Sequence, residues 1–153
     1  MQVKDVMTKE PRTCSPTTNL AAAAAIMLDG DCGILPVVKD GKVVGVVTDR
    51  DMYIALATRG KRASEIEVAD VVQTPVYTCG PEDDVPSVLD TMKRHRVRRL
   101  PVVGFGDPIL GVVSMNDIVL AAGPRKGVRE GDVIATLQAI CSHHRPIPHI
   151  ATA

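Results

Sequence analysis

The stretch "GILPVVKDGKVVGVVTDRDM", residues 33–52, returns in altered form as "RRLPVVGFGDPILGVVSMNDI", residues 98–118. Each copy reads the same way. An apolar run with a Leu-Pro pair is followed by a turn rich in Gly and Asp. A second apolar run then ends on a hydroxyl residue, with a carboxylate three positions further on. The runs are short and rich in Val, as buried strands are. The segments after them, "DRDMYIALAT" and "MNDIVLAAG", read as helices. Strand, turn, strand and helix is therefore a unit, and the chain contains it twice.

Working outward, the repeat extends well beyond these segments. At an offset of 65 residues, "VKDVM" at 3–7 meets "VADVV" at 68–72, and "TCSP" around Cys14 meets "TCGP" around Cys79. Met27 meets Met92, and "LPVV" at 35–38 meets "LPVV" at 100–103. One extra residue in "GFGDP" then shifts the offset to 66, so that Asp51 meets Asp117. "RTCS" and "VYTC" read as short strands. "TTNLAAAAAIMLDG" has polar capping residues, strong helix formers and a terminal Gly. Its twin "EDDVPSVLDTMKRH" opens with acids and tolerates Pro86 in its first turn. The expected order is β-α-β-β-α, twice. Units this long pack against each other when neither buries its apolar face alone.

Bulk properties narrow the function. A chain of 153 residues buries roughly 70% of its unfolded surface, enough for a self-sufficient core. With one Phe, two Tyr and no Trp, that core is aliphatic. Eighteen basic and 18 acidic residues give no net pull toward nucleic acid or an anionic membrane. The longest apolar run, "LAAAAAIML" at 20–28, falls far short of the roughly 20 residues that span a bilayer. "MQVKDVMTKEP" has no signal-peptide core, so a soluble cytoplasmic protein is expected. Cys14, Cys32, Cys79 and Cys141 form no CxxC pair. Cys14 and Cys79 read as small buried residues.

The phrases "VKDVMTKEPRTCSPTTNL", "GILPVVKDGKVVGVVTDRDM" and "VRRLPVVGFGDPILGVVSMNDI" resemble a tandem pair of cystathionine-β-synthase (CBS) domains, a Bateman module. The resemblance covers residues 2–122 and divides the chain into a first unit at 1–60, a second at 61–122, and a helix and tail at 123–153. It implies an α+β fold in which two units pack through their sheets about a pseudo-two-fold axis. It also implies clefts that accept an adenine nucleotide (AMP, ADP or ATP) or an adenosyl compound such as S-adenosylmethionine, with no obligatory cofactor.

Thr48 and Asp51, and likewise Ser114 and Asp117, stand at strand-to-helix junctions, where free N–H groups and a hydroxyl suit a phosphate. An ionised Asp offers two acceptor oxygens to the hydroxyls of a ribose. The same spacing is a capping-box relative, and the two roles are compatible. The resemblance assigns Thr48, Asp51, Ser114, Asn116 and Asp117 to nucleotide binding. It adds Arg98 and Arg99 as phosphate contacts, where the first unit has Gly33 and Ile34. Lys93, Arg94 and His95 suit a helix C-terminus. A nucleic-acid patch is disfavoured because no aromatics are interleaved with the basic residues.

The tail carries a helix with Val133, Ile134, Leu137 and Ile140 at helical spacing. Beyond it Cys141, His143, His144 and His149 form a loose set that reads as a docking segment rather than zinc ligands. No Ser-His-Asp, His-Glu-x-x-His or P-loop pattern occurs. The expected protein is a stand-alone, non-enzymatic sensor that forms a homodimer and acts on a separate protein partner. The competing reading is a ligand-free dimerisation module.

Overall fold

The computed structural model describes residues 1–123 and 127–142. The first unit contains α1 (Leu20–Asp29), β2 (Ile34–Lys39), β3 (Lys42–Thr48) and α2 (Asp49–Arg59), preceded by a short β1 (Thr8–Lys9). The second contains α3 (Val85–His95), β4 (Arg99–Val103), β5 (Ile109–Ser114) and α4 (Met115–Ala121). A final helix, α5 (Glu130–Cys141), follows. Three short 3-10 turns, Val3–Asp5, Ala63–Glu65 and Val68–Asp70, lie in the connecting segments.

Both hairpins share one register. Ile34 faces Thr48 in the first unit and Arg99 faces Ser114 in the second, with a shift at Val37/Val38 and at Val102/Val103. The β2–β3 turn places Asp40 at φ 50° and Gly41 at φ 78°, the left-handed pair that closes a tight hairpin compatibly with strand twist. The segments read as strands at "RTCS" and "VYTC" reduce to single parallel bridges, Cys14 to Val37 and Cys79 to Val102.

The helix ends follow the sequence. Asn19 caps α1 by accepting from the Ala22 N–H, and Asp84 caps α3 by accepting from the Ser87 N–H. Thr48 and Ser114 cap α2 and α4 with complete capping boxes. In α5, Val133 is buried but Ile134 is 55% exposed, and Thr136 takes the inward place. The Thr136 hydroxyl is satisfied by donating to the Asp132 carbonyl at 2.8 Å, so burying it leaves no unpaired donor.

Two aliphatic cores form, one per unit, and the leading segment of each unit is built into the other. Val3, fully buried, belongs with Leu89, Leu100 and Ile118 of the second unit. Val68 belongs with Leu20, Leu35 and Val47 of the first. β1 pairs antiparallel with β5, and Gln73 bridges antiparallel to Val46 of β3. The two units are thus laced together by reciprocal crossings. This brings residues 8–12 to the mouth of the second unit's strand-to-helix junction.

Candidate functional site

The Ser114–Asp117 junction is rigid because it caps a helix. Asp117 Oδ2 accepts from the Ser114 N–H at 2.8 Å and from the Ser114 hydroxyl at 2.6 Å, while the Asp117 N–H donates to the Ser114 hydroxyl at 3.3 Å. Asp117 Oδ1 has no hydrogen-bond partner among the described residues. Capping therefore engages one carboxylate oxygen and leaves the other uncommitted among the described residues.

Ser114, Asn116 and Asp117 line a cavity of about 500 Å³ between the two units. Arg99 and Val112 complete the second unit's side. Thr8, Glu10, Pro11 and Arg12 come from the crossing segment, and Asp29 to Ile34 come from the end of α1 and the start of β2. The volume lies within the range of small-molecule sites, roughly 300–1,000 Å³. Pro11, Ile34 and Val112 supply apolar walls. Gly33 keeps the wall open, since a Cβ there would come 2.8 Å from Asp49 Oδ2 and 3.7 Å from Arg99 Nη2.

The charged lining is mostly acidic, with Glu10, Asp29, Asp31 and Asp117 against Arg12 and Arg99. None of these six groups is in an ion pair among the described residues. Arg99, Ser114, Asn116 and Asp117 of the sequence-derived set meet here. Arg98 is exposed and is not among the residues around the cavity. Glu10, Arg12, Asp29 and Asp31 are not legible in the sequence as site residues: Glu10 and Arg12 reach the cleft through the crossing segment, and Asp29 and Asp31 through the packing of the end of α1 beside it.

The twin junction is different. Asp51 Oδ2 accepts from the Thr48 N–H at 3.0 Å and the Thr48 hydroxyl at 2.6 Å, as in the other unit. Its Oδ1, however, accepts from Gln73 Nε2 at 2.6 Å. Thr48 and Asp51 are not part of the 500 Å³ cavity. Asp51 borders a separate, shallower groove of about 250 Å³ with Ile54, Thr58 and Arg59.

This geometry, a doubled hairpin with a capping carboxylate at the mouth of an inter-unit cleft, is met by one family model. The CBS domain model matches residues 3–58 and again residues 68–123. The chain belongs to the CBS domain family. It is 31% identical over 118 residues to the CBS domain-containing protein YhcV of Bacillus subtilis, covering 77% of this chain and 83% of that one. Against the inosine-5'-monophosphate dehydrogenase of Thermoplasma acidophilum it is 29% identical over 114 residues, but spans only 22% of that enzyme's length. Among solved structures it is similar to the CBS domain pair of protein MJ0100 in complex with 5'-methylthioadenosine and S-adenosyl-L-methionine. The TM-score is 0.72 at 28% identity, over 78% of this chain and 94% of that one.

The cysteines are free thiols: Cys14 and Cys79 buried, Cys32 half-buried and beside the cavity, Cys141 exposed. Burial pushes the Cys14 thiol up to about 11. It pushes Cys79 up to about 12, with the Asp83 carboxylate adding to the effect. Neither thiol is a nucleophile at neutral pH. His143, His144 and His149 lie outside the described residues, as does any metal role for them with Cys141. Among the described residues no helix is long and apolar enough to cross a membrane.

Proposed function

We propose that this CBS pair is a regulatory sensor that binds an adenosyl ligand in the cleft bounded by Arg99, Ser114, Asn116 and Asp117. The observation that carries the reading is Asp117 Oδ1, unpartnered among the described residues and held by its capping bonds on the wall of a 500 Å³ cavity. A carboxylate oxygen fixed this way accepts from the hydroxyls of a ribose without any reorganisation. Pro11, Ile34 and Val112 sandwich the base, and Asn116 adds polar contacts at the rim.

The lining charge narrows the ligand class. Four carboxylates against two guanidiniums repel a triphosphate and favour an adenosine whose 5' substituent is neutral or positive. S-adenosylmethionine and 5'-methylthioadenosine, both bound by the CBS pair of protein MJ0100, have that character. AMP would retain a single Arg99 or Arg12 contact. Four free thiols fit a reducing, cytoplasmic setting.

Signal output requires a partner, and the helices provide surface for one. Leu28 on α1, Tyr53 and Leu56 on α2 and Leu120 on α4 are exposed apolar side chains, Leu28 and Leu120 at 83% and 78%. In this reading these side chains belong to an interface. A second copy of the chain covers it, and the dimer relays cleft occupancy to a separate target protein. The reaction chemistry of an enzyme has no place in this scheme.

Thermal-shift measurements with S-adenosylmethionine, 5'-methylthioadenosine, AMP and ATP at equal concentration test the proposal. A ligand at 100 times its Kd adds roughly 2.7 kcal/mol of stability. The expected order puts the two adenosyl sulfur compounds first and ATP last. ATP leading the series would overturn the charge argument, and no shift with any of the four would favour a ligand-free dimerisation module.

A further inference from the structure

The two strand-to-helix junctions of this chain are related by an internal repeat, so their surroundings can be compared position by position. The hairpins share register and bulge, and the crossing segments dock alike. Thr8 lies opposite Val112, and Gln73 lies opposite Val46, the repeat partner of Val112. Gln73 therefore occupies in one cleft the place that Thr8 occupies in the other. Thr8 is short and lines the open cavity. Gln73 is long enough to reach the carboxylate, and its amide donates to Asp51 Oδ1 at 2.6 Å.

We infer that Gln73 is a built-in occupant of the second cleft, standing where a ribose hydroxyl would bind, so that each chain takes one adenosyl ligand rather than two. The inference rests on the adenosyl reading of the Asp117 cleft. With Thr48 on Oδ2 and Gln73 on Oδ1, both oxygens of Asp51 are engaged, whereas Asp117 has one to spare. A ligand at Asp51 must first break a charge-assisted hydrogen bond that the chain makes with itself at no cost in association entropy.

A second difference acts in the same direction. Where the open cleft has Arg12 and Gly30, the repeat offset places Tyr77 and His95. These two rings stack with centroids 3.7 Å apart and planes 17° from parallel. In the open cleft the Arg12 side chain lies over Gly30, where a Cβ would come 2.8 Å from Arg12 Cγ; at the matching place two rings stand against each other instead. Gln73 takes the sugar position, and a rigid ring pair replaces the Arg12 and Gly30 contact of the open cleft.

Isothermal calorimetry of the full chain with S-adenosylmethionine, and separately with AMP, tests this. One site per chain is expected for either probe that binds, and Asp117→Asn should remove it. Gln73→Ala, and Gln73→Thr as the variant that copies the twin position, should each add a second, weaker site. Asp51→Asn in the Gln73→Ala background should abolish that added site. Two sites in the parent chain, or Gln73 variants that both stay at one, would overturn the inference while leaving the adenosyl reading intact. No binding of either probe would overturn both. Loss of the parent's site in Gln73→Ala would also overturn the inference, since Gln73 would then support binding rather than compete with it.

Discussion

Thr8 crosses Gly111 so closely that a methyl group on the glycine would lie 2.8 Å from the Thr8 carbonyl oxygen and 2.7 Å from Met7 Sδ. Gly45 stands in the same relation to Val72 and to the Gln73 carbonyl. These glycines sit mid-strand, where the lack of a side chain would ordinarily cost stability. They are required because a backbone from the other unit runs over them. The interlacing of the two units, and with it the placement of residues 8–12 beside the 500 Å³ cavity, depends on this contact.

Gly111→Ala and Gly45→Ala should each lower stability by about 1–3 kcal/mol, the usual cost of overpacking a tight contact. Urea denaturation read by circular dichroism would show the midpoint falling in both. Gly131→Ala has nothing within 4 Å of the added carbon and lies in α5, so as the control it should lose no stability, with a gain of up to about 1 kcal/mol from helix propensity. A Gly111→Ala variant as stable as the parent would mean that the crossing segment is not held against β5.

Much of this was legible in the sequence, and the failures have a physical cause. The two β-hairpins, the capping residues Thr48 and Ser114 and the helix order followed from local patterning, because strand alternation and caps are written in neighbouring residues. The crossing was not legible. A repeat offset shows that Val3 corresponds to Val68, but not which unit's core each of them enters. For the same reason the sequence alone does not separate Arg98 from Arg99: Arg98 precedes β4, successive residues of an extended chain point to opposite faces, and only Arg99 lines the cleft. The different behaviour of Asp51 and Asp117 hinged on Gln73 replacing Thr8. That substitution was visible in the alignment, but its partner was not.

Asp117 should dominate binding of an adenosyl ligand. Asp117→Asn keeps an acceptor for the Ser114 cap while removing the charge from Oδ1. Each hydrogen bond to a charged group contributes about 1.5–3 kcal/mol, so affinity for S-adenosylmethionine should fall tenfold or more. The thermal midpoint of the unliganded protein should move little. Calorimetry in which the variant binds as tightly as the parent would remove Asp117 from the site.

The buried thiols set an alkaline limit on stability. A thiol in the unfolded chain ionises near ~8.5, whereas burial raises Cys14 to about 11 and Cys79 to about 12. Both groups have a folded value above the unfolded one. Their contribution is therefore fully present below about pH 8.5 and is lost as pH rises toward those values. Denaturation midpoints should be flat through neutrality in this respect and decline above pH 9. Cys14→Ala with Cys79→Ala should flatten that decline. Thiol labelling at pH 8 should modify Cys141 first and leave Cys14 and Cys79 untouched until the chain unfolds.

The exposed apolar side chains of α1, α2 and α4 predict association of two chains. Light scattering at micromolar concentration should return twice the chain mass of 16.3 kDa. Replacing Leu28 and Leu120 together by Glu, both exposed in the single chain, should shift the mass to that of one chain without unfolding it. A monomeric parent would leave those side chains without the partner proposed for them.

The most direct measurement is a crystal structure of the protein grown with saturating S-adenosylmethionine. The account predicts one ligand per chain, its ribose hydroxyls within hydrogen-bond distance of Asp117 Oδ1 and its base between Ile34 and Val112, with Gln73 still on Asp51. A ligand seated on Asp51 with the Asp117 cleft empty would contradict it.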